Sequence, residues 1–138
     1  MLLALDAGNT SITLGLFRGK RLVSRGRLPT HAARPEAAYR AGLRSFLGGR
    51  LRQIEGVILS SVVPQATRTL RKSLRSLRLP LPLVVGENVQ APGLNRYRVP
   101  SQVGQDRLVN AAAAYFLYGG PAVVVDHHER RSYLASLG

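Results

Sequence analysis

Apolar and polar positions along this chain follow two periods that alternate in a definite order. Residues 2–6 form an apolar run, Leu2-Leu3-Ala4-Leu5, closed by the carboxylate of Asp6, and predict a buried strand. After a turn over residues 8–11, Ile12-Thr13-Leu14-Gly15-Leu16-Phe17 has partial period-two patterning and predicts a second strand. Arg18-Gly19-Lys20 reads as a hairpin turn, and residues 21–28 as the third strand. Two hairpin-linked strands after a buried one imply an antiparallel edge on a mixed sheet. The period then changes. Pro35 suits a first helical turn, and Tyr39, Leu43, Phe46 and Leu47 fall on one stripe that Gly48-Gly49 ends. Residues 56–61 predict a short apolar strand. Pro64 starts a second helix with Ala66, Leu70, Leu74 and Leu77 on one face. Residues 81–85 predict a further strand, held to an entry or edge by the prolines flanking Leu81. Residues 86–100 read as loop, residues 105–118 as an alanine-rich third helix broken at Gly119-Gly120-Pro121, and residues 122–126 as a last buried strand. The order is βββαβαβαβ.

Composition narrows the classes. A hydrophobic fraction of 45% in 138 residues suffices for a core and fits one domain of ordinary size. The absence of cysteine excludes disulfides, thiolate zinc sites and a cysteine nucleophile. No apolar run approaches the ~20 residues of a membrane span. The start lacks the basic region of a signal peptide, so the expected location is cytoplasmic. The net charge of +13 rests almost wholly on arginine, since Lys20 and Lys72 are the only lysines. These arginines are spread along the chain and read mainly as solvated side chains. Arg68, Arg71, Lys72, Arg75 and Arg78, however, recur at helical spacing. That stripe supports an alternative function class, a small basic nucleic-acid-binding module with loose, salt-sensitive phosphate contacts. With 6% aromatic residues the chain lacks stacking platforms, and nucleic acid is not the expected partner.

Candidate chemistry begins at Asp6-Ala7-Gly8-Asn9-Thr10, where a buried strand leaves the core. A carboxylate there can order Mg²⁺ and its waters beside nucleotide phosphates, with Asn9, Thr10 and Ser11 as hydrogen-bond donors. The same residue types also make an ordinary β-turn. Ser60 and Ser61 close the fourth strand and read as strand termination and helix capping. Asp106 falls in a first helical turn, where the helix dipole favours a carboxylate by ~0.3–1 kcal/mol. The element order, with a carboxylate ending the first strand, points to an α/β fold of the actin-like ATPase and sugar-kinase (ribonuclease H-like) class, with strand and helix order βββαβαβ in its N-terminal domain.

The chain resembles the first half of type III pantothenate kinases. The matching pieces are Asp6-Ala7-Gly8-Asn9-Thr10, Ser60-Ser61-Val62-Val63-Pro64, Tyr97-Arg98-Val99-Pro100 and Gly104-Gln105-Asp106-Arg107-Leu108-Val109-Asn110-Ala111, in order across residues 1–126. The resemblance implies ATP-dependent phosphorylation of pantothenate to 4′-phosphopantothenate, the first step of coenzyme A synthesis. It implies an ATP-binding segment of Asp6, Ala7, Gly8, Asn9, Thr10, Ser11, Ile12 and Thr13, with Asp6 also holding magnesium through water. Asp106 would be the general base, and Tyr97, Gly104, Gln105, Asp106 and Arg107 would bind pantothenate. Asp126 would help bind a monovalent cation, K⁺ or NH₄⁺. The intact family member would be a homodimer. The expected domain division is residues 1–121 as an ATPase-like α/β domain and 122–138 as the start of a second. After Asp126 the family pattern calls for a Gly-Thr-Ala phosphate turn and a further α/β domain, whereas this chain reads His127-His128-Glu129-Arg130-Arg131-Ser132 and stops at Gly138. That departure leads to the expectation of a truncated or frame-shifted product, or an inactive fragment, ending in a disordered polar tail. Adjacent histidines on a strand point to opposite faces, so His127 and His128 are not expected to share a metal ion.

Overall fold

The computed structural model describes residues 1–30, 35–128 and 131–137, with side chains described for residues 1–30, 35–100 and 102–125. The chain divides into two compact units, Met1–Val89 and Gln90–Gly138.

The first unit is a five-stranded mixed sheet. Strand β1 (Leu2–Ala7) pairs antiparallel with β2 (Ser11–Arg18), which pairs antiparallel with β3 (Arg21–Pro29). On its other edge β1 pairs parallel with β4 (Gly56–Ser61), which pairs parallel with the two-residue β5 (Leu83–Val84). The sheet order is therefore β3-β2-β1-β4-β5. Helix α1 (Glu36–Leu47) and helix α2 (Pro64–Ser76) supply the connections into β4 and β5 and pack against each other. This is the mixed α/β architecture, and the βββαβαβ order, expected from the sequence.

Period-two patterning becomes two different faces. Leu3, Leu5 and Ala7 of β1, Ile12, Leu14 and Leu16 of β2, and Val57 and Leu59 of β4 all turn inward and are buried. Tyr39, Leu43 and Leu47 of α1 and Leu70 and Leu74 of α2 close over them in one continuous cluster. The helical stripes read from the sequence are thus the helical faces of this core. Phe46 lies at its margin, partly buried.

Local chemistry sets the turns. Gly19, at φ +58°, occupies the two-residue connection between β2 and β3, a left-handed conformation that costs glycine nothing. Gly48, at φ +52°, ends α1 and starts a 3₁₀ segment (Gly48–Gln53) absent from the sequence-based reading. Pro64 opens α2, its missing N–H falling where helical donors are unpaired anyway. The strand expected over residues 81–85 contracts to Leu83–Val84. Pro80 and Pro82 cannot donate to a ladder, so pairing starts only beyond them.

The second unit contains a short 3₁₀ turn (Pro100–Gln102), helix α3 (Gln105–Tyr118), and strands β6 (Ala122–His128) and β7 (Arg131–Leu137). β6 and β7 form a separate antiparallel pair, with Ala122 opposite Leu137 and His128 opposite Arg131. Two expectations are corrected here. The strand after Gly119-Gly120-Pro121 is not buried, because Val123 is 66% and Val125 50% exposed. The residues following Asp126 are not an unstructured tail, because β6 continues to His128 and Arg131–Leu137 returns as its partner. The charged cluster at residues 127–131 masked the strand-forming run Ser132-Tyr133-Leu134 behind it. Among the described residues, Ala111 is the one buried apolar side chain of this unit.

Close approach of α1 to β3 defines a test of the core. An added Cβ at Gly26 would lie 2.6 Å from Cδ2 of Phe46, too close for both to stay in place. Gly26→Ala is expected to cost about 1–3 kcal/mol in urea unfolding, and distinctly less in a Phe46→Leu background, because the two sites are coupled. Leu43→Ala, at a fully buried position, is expected to cost about 2–5 kcal/mol. Equal costs for Gly26→Ala in both backgrounds would refute the proposed contact.

Candidate functional site

Strand register builds the site before any side-chain detail is needed. Asp6 is opposite Thr13 of β2 on one side and opposite Ser60 of β4 on the other. Thr13 is in turn opposite Arg27 of β3. Residues directly opposite in a ladder share a face, and neighbouring strands lie ~4.8 Å apart. Arg27, Thr13, Asp6 and Ser60 therefore form one row across four strands. Leu5 and Ala7, the neighbours of Asp6, point into the core, so the row lies on the sheet face turned away from α1 and α2. Asp6 itself is exposed.

The row sits at the carboxyl ends of two parallel strands. The chain leaves β1 toward β2, on one side, and leaves β4 through α2 toward β5, on the other. Connections that diverge in this way open a crevice beyond the strand ends, the place where open α/β sheets bind ligands.

The turn after Asp6 is held by its own backbone. The Gly8 N–H donates to the Ser11 carbonyl at 3.0 Å, and the Thr10 carbonyl accepts from the Thr30 N–H at 2.9 Å. The Gly8 amide is thus engaged in closing the turn, and Asn9 and Thr10 are left exposed at its tip. Among the eight residues of the expected ATP segment, Asp6, Asn9, Thr10, Ser11 and Thr13 present polar groups around the strand ends. Ile12 is fully buried, its side chain part of the core, and Ala7 is buried beside it.

Ser60 and Ser61 part company. The Ser61 hydroxyl accepts from the Val63 N–H at 3.1 Å and donates to the Val63 carbonyl at 3.2 Å, fixing the step from β4 into α2. Ser61 thus ends the strand and closes the turn before α2, but it does not cap the helix, whose N-cap is Val63 without a side-chain cap. Ser60 is 5% exposed, and its Oγ has no hydrogen-bond partner among the described residues.

In the second unit, Gly104 is the N-cap of α3, and its carbonyl accepts from the Arg107 N–H at 3.1 Å. Gln105, Asp106 and Arg107 occupy the first turn, where the helix dipole favours the Asp106 carboxylate. Oε1 of Gln105 and Oδ1 of Asp106 are buried without hydrogen-bond partners among the described residues. Buried polar oxygens in that condition are uncommon, and each asks for an explanation. Tyr97 is 59% exposed in a loop closed by Asn95, whose Oδ1 accepts from the Tyr97 N–H at 3.1 Å and whose Nδ2 donates to the Pro100 carbonyl at 3.0 Å. Asp126 lies in β6, opposite Tyr133, and its side chain is outside those described. No group of three or more metal-ligating side chains occurs among the described residues.

Sequence patterning alone passed over two members of the row. Ser60 looked like strand termination, and Arg27 was one arginine among many. Only the β1–β4 and β2–β3 registers single them out. The basic stripe of α2 has local partners: Arg71 is ion-paired with Glu87, and Arg68 donates to Gln65 at 2.6 Å. A cavity of about 500 Å³ lined by Arg44, Arg52 and Arg78 lies where α1 and α2 end, at the amino ends of the parallel strands and away from Asp6. Arginines at helix C-termini are favoured by the dipole without any ligand. No described helix is long and apolar enough to cross a membrane.

Comparison with known proteins identifies the family. The profile of the type III pantothenate kinase family matches residues 2–127. The chain is 42% identical over 129 residues to a type III pantothenate kinase of Moorella thermoacetica, an alignment that covers 91% of this chain and 51% of that protein. It is 37% identical over 137 residues to the type III pantothenate kinase of Halalkalibacterium halodurans, covering 96% of this chain and 54% of the relative. The chain thus spans about half the length of the curated relatives it matches. A solved structure from Porphyromonas gingivalis, described as an N-acetylglucosamine kinase, superposes with a TM-score of 0.49 at 17% identity, over 61% of this chain and 33% of that one. With the family profile covering nearly all of its length, the chain belongs to the type III pantothenate kinase family.

Proposed function

We propose that this chain carries the nucleotide-holding strands and the proton-accepting carboxylate of an enzyme that transfers the γ-phosphoryl group of ATP to pantothenate, the opening step of coenzyme A synthesis. The observation that carries the reading is the position of Asp6. It stands exposed at the carboxyl end of β1, between two hydroxyl side chains on the same sheet face, in a chain of this family.

Each residue then has a chemical task. Asn9, Thr10 and Ser11 donate to phosphate oxygens from the turn, and Thr13 from the row. Arg27 supplies a guanidinium at the row's far end, suited to phosphate charge. The donor set also fits magnesium. One exposed carboxylate with adjoining hydroxyls offers the hard oxygen ligands that a hydrated Mg²⁺ uses alongside phosphate oxygens. When bound, Mg²⁺ neutralises charge on the β- and γ-phosphates. Asp106 accepts the proton of the pantothenate hydroxyl as that oxygen attacks phosphorus. An unpartnered carboxylate oxygen in the first turn of α3 is available for that hydrogen bond. Arg107 holds the pantothenate carboxylate, a match for its two-pronged donor geometry. Tyr97, Gly104 and Gln105 complete the substrate contacts. The family resemblance further assigns a monovalent cation, K⁺ or NH₄⁺, to Asp126, a homodimer to the whole enzyme, and a cytoplasmic location, where ATP is supplied.

Two variants test the assignment. Asp6→Asn is expected to weaken binding of a fluorescent ATP analogue, in the presence of Mg²⁺, by at least about tenfold, since a charged hydrogen-bonding partner is lost. Asp106→Asn is expected to leave that affinity within about twofold while lowering pantothenate-dependent ADP release by about 10²–10⁴-fold. Wild-type chain that shows no Mg²⁺-dependent nucleotide binding, or an Asp106→Asn variant with undiminished turnover, would rule the reading out.

A further inference from the structure

Unit Met1–Val89 buries several hydroxyl side chains, and most have an evident structural use. Ser73 Oγ donates to the Thr69 carbonyl at 3.0 Å and lies 3.1 Å from the Glu36 carbonyl. Thr67 Oγ1 donates to the Val63 carbonyl at 3.2 Å. Ser61 fixes the β4–α2 step. Thr30 Oγ1 has no partner but adjoins residues 31–34, which lie outside those described. Ser60 is different. It is more than nine-tenths buried, its chain neighbours on β4 are all described, and its Oγ has no hydrogen-bond partner among the described residues.

A buried hydroxyl without a hydrogen bond costs free energy that an alanine of nearly the same size would avoid. Backbone pairing does not require a serine, because the ladder uses only main-chain groups. Alternation along β4 shows which way Ser60 faces. Val57 and Leu59 enter the helix-covered core, so Ser60 turns to the opposite face, where its ladder partner is Asp6. The unsatisfied hydroxyl therefore stands beside the exposed carboxylate at the carboxyl ends of β1 and β4, where the divergent connections leave room for a ligand.

We infer that the Ser60 hydroxyl is a further ligand-positioning group of the nucleotide site: with Asp6 it holds the hydrated metal–triphosphate ion, donating to a phosphate oxygen or accepting from a metal-bound water. The inference rests on the nucleotide reading above and adds a residue to it. A hydroxyl suits the task because it both donates and accepts, whereas Asp6 only accepts. It also explains a polar group at a buried position with no partner among the described residues. The rival is a structural serine satisfied by one trapped water.

Ser60→Ala separates the two. Titrations of the wild-type chain, Ser60→Ala and Asp6→Asn would be run with MgATP and with ATP in EDTA, alongside thermal unfolding without ligand. The expected result for Ser60→Ala is MgATP affinity lowered about tenfold, the effect of one hydrogen bond to a charged group. Metal-free ATP affinity should fall alongside it if the hydroxyl donates to a phosphate oxygen, and stay within about twofold if it accepts from a metal-bound water; in either case the unfolding midpoint should be unchanged or raised. Unchanged MgATP affinity in Ser60→Ala, with Asp6→Asn impaired, overturns the inference and leaves the nucleotide reading standing. A midpoint lowered by several degrees, or a variant that fails to fold, also overturns it, because the hydroxyl would then be structural. Failure of the wild-type chain to bind MgATP removes both.

Discussion

The parallel pairing of β1 with β4 is the constraint on which the rest of this structure depends. It runs from Leu2 opposite Gly56 to Ala7 opposite Ser61, joining segments more than fifty residues apart. Such contacts are slow and entropically costly to form, and they hold only because burial rewards them. The reward is visible in the alternation. Leu3, Leu5 and Ala7 line up with Val57 and Leu59 under the helices, and every intervening residue is forced to the other face. A one-residue slip would carry Asp6 into the core and expel Leu5. The carboxylate's exposure is therefore set by the core's apolar pattern. The core and the row of Arg27, Thr13, Asp6 and Ser60 are two sides of one register.

The helical layer fixes that register from above. Tyr39, Leu43 and Leu47 of α1 and Leu70 and Leu74 of α2 occupy the space over β1, β2 and β4. Contact at β3 is close enough that Gly26 has no room for a methyl group beneath Phe46. With α1 and α2 on one face, the other face near the strand ends is left to polar chemistry. The excess positive charge plays no comparable organising role. The ion pairs of Arg40 with Glu36 and of Arg71 with Glu87 both lie at the surface, where such pairs contribute little.

The first unit was legible in sequence wherever one physical signal dominated. Apolar runs gave β1 and β4, partial period two gave β2, period 3.6 gave α1 and α2, and glycine or proline gave their ends. Failures came where signals competed. Pro80 and Pro82 shortened β5, and the charged residues 127–131 hid the strand Arg131–Leu137. The short apolar run Val123-Val124-Val125 looked buried, although among the described elements only α3 packs on the two-stranded pair, and Val123 and Val125 stay exposed. At the site, Asp6 was legible because glycine and asparagine mark a turn behind an apolar run. Ser60 was not, because its importance depends on which residue stands opposite, and pairing partners fifty residues away leave no trace in local pattern. Nor can a sequence show that Ser61 is satisfied by Val63 while its neighbour is not.

The two units also differ in how far each can stabilise itself. The first has a continuous core that includes Leu3, Ile12, Leu43 and Leu70, and its row of polar groups is preorganised by it. In the second, α3 contacts β6 and β7, yet Ala111 is the one buried apolar side chain among those described. Tyr115, Phe116, Leu117 and Tyr118 at the end of α3 are more than half exposed. The described side chains of this unit bury little apolar surface of their own. Phosphoryl transfer asks for nucleotide positioning that persists before substrate arrives, and for a proton acceptor held within reach of the substrate hydroxyl. On the proposed reading, the nucleotide row belongs to the unit with the continuous core and the base to the unit whose described side chains bury little. On that reading, the buried oxygens of Asp106 and Ser60, which have no hydrogen-bond partner among the described residues, keep hydrogen-bonding capacity for ligands.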